Sequence, residues 1–206
     1  MTVFKDRPFF HEGMSEWQDH FDGRRTAEAI EKHRKHYAFW DDEIEIIKNA
    51  RFFFIASTFG DYVDCNIKSG DPGFVHVIGP NILEYPEYDG NSMYRTVGNI
   101  TKNPNVGLLF VAFDGKSRRI RINGRARVVT DRATLDRHFG AKLAVRIECE
   151  IYPNCPRYIP DLAHSKSSPH VPRAGEAIPP APEWKTRDYI RSILPEDDPH
   201  RHQDND

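Results

Sequence analysis

Between residues 51 and 152 the chain keeps switching between short apolar runs and turn-forming residues. RFFFIAST (51–58) is followed by the turn Phe59-Gly60-Asp61, and YVDCNIK (62–68) by the loop SGDPG. FVHVI (74–78), the turn Gly79-Pro80-Asn81 and ILEY (82–85) come next. After a helix-like stretch follow NVGLLFVAF (105–113), the turn Asp114-Gly115, the long alternating RRIRINGRARVV (118–129), a short helix over 131–139, and LAVRIECEIY (143–152). That makes about seven short strands at close spacing. A parallel pair needs a crossover of a dozen or more residues, and most of these joints are too short for one. The chain is therefore predicted to form an antiparallel barrel or sandwich with helices at its ends.

The flanks differ from this middle. Residues 1–22 are polar and read as an irregular arm. Residues 24–37 (RRTAEAIEKHRKHY) and 41–50 carry helical spacing, the second with Asp41 and Asp42 at its start and Ile44, Ile47 and Ala50 on one face. Residues 160–183 are rich in Pro and Ser and read as a loop or arm, and 184–194 as a last short helix. With 206 residues the expected layout is one domain: N-terminal arm and helices over 1–44, a barrel over 45–158, and a C-terminal extended arm with a short helix over 159–206.

A formal net charge of -2 excludes a general nucleic-acid or acidic-membrane binder. Three cysteines, Cys65, Cys149 and Cys155, match no zinc or redox spacing and read as reduced thiols. The N-terminus lacks the apolar core of a signal peptide, and no stretch approaches the roughly 18 apolar residues of a spanning helix. A cytoplasmic protein with no membrane partner is the expectation.

Phosphate cradles of the G-x-x-x-x-G-K-[ST] and G-x-G-x-x-G types are absent, as is a G-x-S-x-G elbow. His33 and His36 stand among Lys32, Arg34 and Lys35 and read as a solvated basic face, so no metal site is expected. His76 reads as a structural or surface residue of a strand. The informative stretch is EYDGNSMYRTVGNITKNP (87–104). Met93, Val97 and Ile100 fall on a core face, and Asn91 or Ser92 suits the N-cap. Ser92, Arg95 and Thr96 then crowd the first turn, where the helix dipole disfavours a cation unless an anion offsets it. Free N–H groups, hydroxyls and a guanidinium at one point suit a phosphate monoester. Lys68 ends a strand before a Gly-containing loop. Arg119 and Arg121 share one face of their strand and Arg118 takes the other, so at least one face should meet a carboxylate or an anionic ligand.

The order of these pieces resembles the pyridoxamine 5′-phosphate oxidase-like superfamily of FMN-binding split barrels. The resemblance covers roughly residues 45–158 and rests on DPGFV (71–75), DGN (89–91), NPNVGLLF (103–110), RINGRA (121–126) and NCPRYI (154–159). It implies a six-stranded antiparallel split β-barrel, mainly β with peripheral helices, working as a homodimer with FMN at the interface. By the same resemblance, Lys68 and Asn66 lie at the strand end near the flavin, and Tyr85 and Pro86 line the isoalloxazine. Asn91, Ser92, Arg95 and Thr96 form the phosphate-binding helix start. Arg119 stands where the family often has a Gln reaching the ring or phosphate, and Arg157 completes the site from the C-terminal side. A cation such as Lys68 or Arg119 near the pyrimidine end would stabilise an anionic reduced flavin.

The chain also departs from the oxidase. The Ser-Arg-Lys run at the helix start is replaced by Tyr94-Arg95-Thr96. The substrate-phosphate cluster and the C-terminal Trp-Arg-Leu motif have no match beyond a loose echo in Trp184–Arg187, and the loop around 71–81 carries an extra hairpin. The expectation is an FMN-dependent oxidoreductase of unknown substrate, with NAD(P)H as a candidate reductant and no catalytic side chain assigned. A different class is a flavin- or haem-binding carrier, sensor or haem-handling protein, with His164 or His170 as an axial ligand. A third reading is a relative using the deazaflavin F420 or no cofactor.

Overall fold

In a strand, side chains alternate between the two faces, and here one phase is apolar in strand after strand. The computed structural model describes residues 8–115, 118–152 and 170–179, together with Phe4, Leu162, Lys185, Leu194, Asp198 and Arg201. Three helices come first: α1 (Glu12–His20), α2 (Arg24–Arg34) and α3 (Asp41–Asn49). Then follow β1 (Phe52–Phe59), β2 (Tyr62–Ser69), β3 (His76–Gly79), β4 (Ile82–Tyr88), α4 (Arg95–Lys102), β5 (Asn105–Val111), β6 (Arg119–Val129), α5 (Arg132–Leu135) and β7 (Ala141–Tyr152).

All strand pairings are antiparallel, in one seven-stranded sheet of order β2-β1-β5-β6-β7-β4-β3. The sheet curls into a split barrel and does not close, since no ladder joins β2 to β3. The seven strands are those read from the residues, one more than the six that the resemblance implies. The added one is the short β3, paired with β4 through the hairpin that turns at Pro80-Asn81. The expected arm over 1–22 contains α1, where the side chain of His11 accepts from the Met14 N–H as N-cap. The helix expected over 184–194 lies mostly outside the described residues.

The inner phase supplies the core: Phe53 and Ile55 from β1, Leu108 and Phe110 from β5, Ile120 and Ile122 from β6, Val145, Ile147 and Ile151 from β7, and Leu83 and Tyr85 from β4. Phe53 is its hub, with ring centroids 4.9 Å from Phe110, 5.0 Å from Tyr85 and 6.0 Å from Phe74. Each such aromatic or aliphatic side chain contributes about 1.5–3 kcal/mol by leaving water. Ile46 and Ile47 of α3 close one side of this core. Gly124 is the inward residue of β6 that faces Ile147. A Cβ there would sit 2.3 Å from Ile147 Cγ2, so only glycine allows the strands to approach this closely.

The outer face of β4 carries a buried charge. Glu84 is wholly inaccessible to solvent. Its Oε1 accepts from Arg137 Nη2 at 2.6 Å and lies 3.1 Å from His138 Nε2, while Oε2 accepts from Arg146 Nε at 2.8 Å. Burial alone would raise its carboxyl pKa, but the hydrogen bonds from Arg137, Arg146 and His138 outweigh it and hold the group below its ordinary value. His138 is buried, and its ring stacks on His76 at 4.3 Å. Burial lowers the pKa of both imidazoles. His138 is lowered further by the neighbouring His76, and His76 by Arg137.

Breaking this cluster should be costly. Glu84→Ala leaves two guanidiniums facing each other over a cavity, and a loss of about 3 kcal/mol in denaturant-measured stability is expected. The cluster also fixes a pH response. Both imidazoles titrate below their ordinary value of 6.5 in the folded chain, so the unfolded chain takes up protons first as pH falls. Their contribution to stability is full above that value and is lost as pH falls through it toward the folded values. Replacing both with Gln should flatten the fall in melting temperature between about pH 7.5 and about pH 5.5.

Candidate functional site

The polar residues of β2 in its inner phase are Asp64, Asn66 and Lys68, where neighbouring β1 has Ser57, Ile55 and Phe53. Lys68, nearly buried, donates from Nζ to Glu87 Oε1 of β4 at 2.6 Å. This ion pair joins two strands that share no backbone ladder. The other oxygen, Glu87 Oε2, is buried with no hydrogen-bond partner.

Above it, the 91–94 loop leads into α4. The N-cap is Tyr94, in the left-handed region with φ 47°, and Ser92 has φ 60°. This corrects the expectation of Asn91 or Ser92 as cap. Asn91 Oδ1 instead accepts from the Met93 N–H at 3.1 Å and serves the loop. A non-glycine residue at positive φ is strained, and two in three residues mark a loop held in place by its surroundings. Tyr94 supplies no capping side chain, so the N–H groups that open α4 lack the usual oxygen partner.

The starting turn of α4 is turned relative to the expected one. Met93, expected in the core, is exposed, while Thr96, expected beside a ligand, is 2% exposed. Thr96 Oγ1 donates to Asp64 Oδ2 at 2.9 Å and accepts from Asn66 Nδ2 at 3.4 Å, which seats the helix on β2. Arg95, more than half exposed, pairs through Nε with Asp64 Oδ1 at 3.1 Å. A cleft of about 80 Å³ results, lined by Asn66, Lys68, Glu87, Tyr88 and residues 90–97. It gathers six of the predicted site residues: Asn66, Lys68, Asn91, Ser92, Arg95 and Thr96.

The other predicted residues lie elsewhere. Tyr85 is a core side chain packed on Phe53, with its hydroxyl buried and unpartnered, and burial raises its pKa well above the ordinary value. Pro86 is buried in β4 opposite Ala144. Arg119 and Arg121 share a sheet face with Leu109, Phe54 and Ile67, which is the face opposite to Lys68, and β1 and β5 stand between. Arg119 borders a different cleft, with Arg34, His36 and Trp40. Arg157 and His164 lie outside the described residues.

Sequence reasoning missed Asp64 and Glu87. Glu87 stands in the inner phase of β4 after apolar Leu83 and Tyr85, and Asp64 shares the inner phase of β2 with Lys68; an acid in a phase otherwise apolar or facing a cation was the available signal. Among the described residues, His76, Glu84 and His138 also place ligand-type atoms within 4.8 Å of one another. Glu84 already spends both oxygens on arginines, and two guanidiniums beside the carboxylate oppose a bound cation.

No described helix is long and apolar enough to cross a membrane. No curated protein sequence matches the chain. Solved structures that resemble it include HupZ from Group A Streptococcus (16% identity, TM-score 0.45, covering 62% of this chain and 99% of that one). An FMN-binding protein from Syntrophomonas wolfei has 13% identity and a TM-score of 0.40, covering 70% and 97%. A NimC/NimA family protein from Clostridium acetobutylicum has 14% identity and a TM-score of 0.40, covering 55% and 84%. Likeness at that level fixes no ligand. The family model described as pyridoxamine 5′-phosphate oxidase matches residues 41–163, more than half of the 206, and spans α3, all seven strands and the Lys68–Arg95 cleft. The chain belongs to the pyridoxamine 5′-phosphate oxidase family.

Proposed function

We propose that the chain binds FMN in the cleft between β2 and α4 and serves as a flavin-dependent oxidoreductase. The observation that carries the reading is the start of α4. Uncapped N–H donors, the hydroxyl of Ser92 and the guanidinium of Arg95 border the same small cleft as Lys68. Donors at a helix N-terminus, next to left-handed residues, favour a phosphate.

The residues fit a phosphate monoester under one condition. Two cations in the cleft face two carboxylates, Lys68 against Glu87 and Arg95 against Asp64. The first pair is largely shielded from water and stays closed, so Lys68 acts as a fixed donor. The second has an exposed partner, and exposed pairs are worth only about 0–1 kcal/mol. Arg95 can therefore leave Asp64 for a phosphate at little cost, while Thr96 keeps Asp64 in place. A bound flavin supplies the hydride and electron chemistry, and the protein has to hold and orient it. The unpartnered Glu87 Oε2 is a fixed acceptor at the floor of the cleft for an N–H of the ligand.

Self-association belongs to the same proposal. The outer face of β2, β1 and β5 presents Val63 and Ile67, 70% and 53% exposed, around a shallow apolar depression at Ala56 and Gly107. An apolar sheet face of this kind is suited to a second copy, with FMN held where the two chains meet.

Freshly purified protein should show a flavin absorbance spectrum; a Soret band in its place would favour haem. Arg95→Ala removes a charge-assisted hydrogen bond worth about 1.5–3 kcal/mol, so FMN should bind about ten- to a hundredfold more weakly by fluorescence titration. Asp64→Asn should act in the opposite direction by freeing Arg95. Val63→Glu with Ile67→Glu should shift the chain to a monomer in light scattering while leaving its far-UV circular dichroism unchanged.

A further inference from the structure

The first two helices lack a surface to pack on. α1 has 9 residues and α2 has 11, and isolated helices shorter than about 12–15 residues are marginal in water. In a folded protein such helices are held by burying one face. Both lie wholly within the described residues, yet no residue of either is buried. Arg24 joins them by donating to Asp19 and to the Ser15 carbonyl. The hairpin is tied to the end of β7, where His36 and Ile151 exchange backbone hydrogen bonds of 2.9 and 3.0 Å and the Phe9 ring lies 5.4 Å from that of Tyr152. Met14, Trp17 and the C-cap Phe21 recur at helical spacing and form an exposed stripe, with Trp17 stacked on Phe21 at 6.0 Å. The hairpin precedes residue 41, so it lies outside the stretch that the family model matches.

The outer face of β2, β1 and β5 offers a matching surface. Cys65, Ala56 and Gly107 stand in one row across it, and Val63 and Ile67 flank Cys65 on the same face. Charge matches as well. α1 carries Glu12, Glu16 and Asp19 and no Lys or Arg, whereas α2 has an excess of Lys and Arg. On the same sheet face β6 exposes Arg125 and Arg127. Glu148 stands opposite Arg125, but Arg127 stands opposite another arginine, Arg146, which is already bonded to Glu84. We propose that the α1 stripe of each copy docks on the outer face of β2, β1 and β5 of a second copy. A two-fold pair satisfies both stripes and both faces at once. The exposed side chains of two stripes and the sheet surface beneath them amount to roughly 1,500 Å² of buried area, within the range of specific interfaces. This docking rests on the self-association reading above and is independent of the flavin.

The test uses the full chain and the exposed Cys65 that lies within the docking face. Trp17→Cys, treated with a short bis-maleimide, should give a covalent dimer on a denaturing gel, and adding Cys65→Ser should remove it. Trp17→Glu with Phe21→Glu should weaken the dimer about tenfold or more in sedimentation, with the near-UV circular dichroism of the barrel kept, since α1 contributes nothing to the core. Amide exchange over residues 12–34 should slow as the concentration of the native chain rises, and the double variant should lose that dependence. A dimer undiminished in the double variant, or a cross-link that survives Cys65→Ser, overturns the docking and leaves self-association standing. A native chain that stays monomeric at tens of micromolar overturns both. Exchange slowed by anionic lipid vesicles and not by the chain's own concentration assigns the stripe to a membrane surface and overturns the docking.

Discussion

The sheet has two ends that never meet. Because β2 and β3 each have one neighbour, the curl that would complete a barrel stops short, and side chains span the gap instead. An apolar inner face must stay dry, yet the last strand before the gap borders solvent. That is why β2 places Asp64, Asn66 and Lys68 in the phase where β1 places Ser57, Ile55 and Phe53. Lys68 reaches across to Glu87, and α4 is seated beside it on β2 through Thr96. The cleft is what remains where closure fails, and its polarity follows from its place in the sheet.

Much of the fold was readable because two-residue alternation is a strong signal when one face is buried. β1, β5, β6 and β7 appear with nearly the expected bounds. α1 was not readable as a helix. Its large apolar residues Met14 and Trp17 stay 43% and 66% exposed, so no buried stripe announced it. The start of α4 shifted for a backbone reason. Ser92 and Tyr94 adopt the left-handed conformation, a choice that propensity does not foresee for those residue types, and this moved the first turn along the chain and rotated its faces.

Within one chain the expected site residues do not all meet at one cleft. Alternation within one strand fixes which residues share a face, but it does not carry phase across intervening strands. Lys68 and Arg119 were expected near one ligand. The register β2-β1-β5-β6 sets them on opposite faces. Charge bookkeeping was equally hidden, since sequence shows cations and acids without showing which pairs are committed. Here Glu84, Glu87 and Asp64 each hold specific partners, while the Nε of Arg119 is buried without one.

The contact between Thr96 and Asp64 has a consequence for how the cleft is made ready. A helix that waited for its ligand would have to be ordered at each binding event, and the ligand's affinity would carry that entropy. Here a neutral hydroxyl, already buried, ties α4 to the sheet, while the exposed guanidinium one residue earlier is the group free to change partners. Seating and recognition are assigned to adjacent residues of one turn. On the proposed reading, arrival and departure of an anion require a side-chain rotation and no refolding, which places that step among fast rotamer motions.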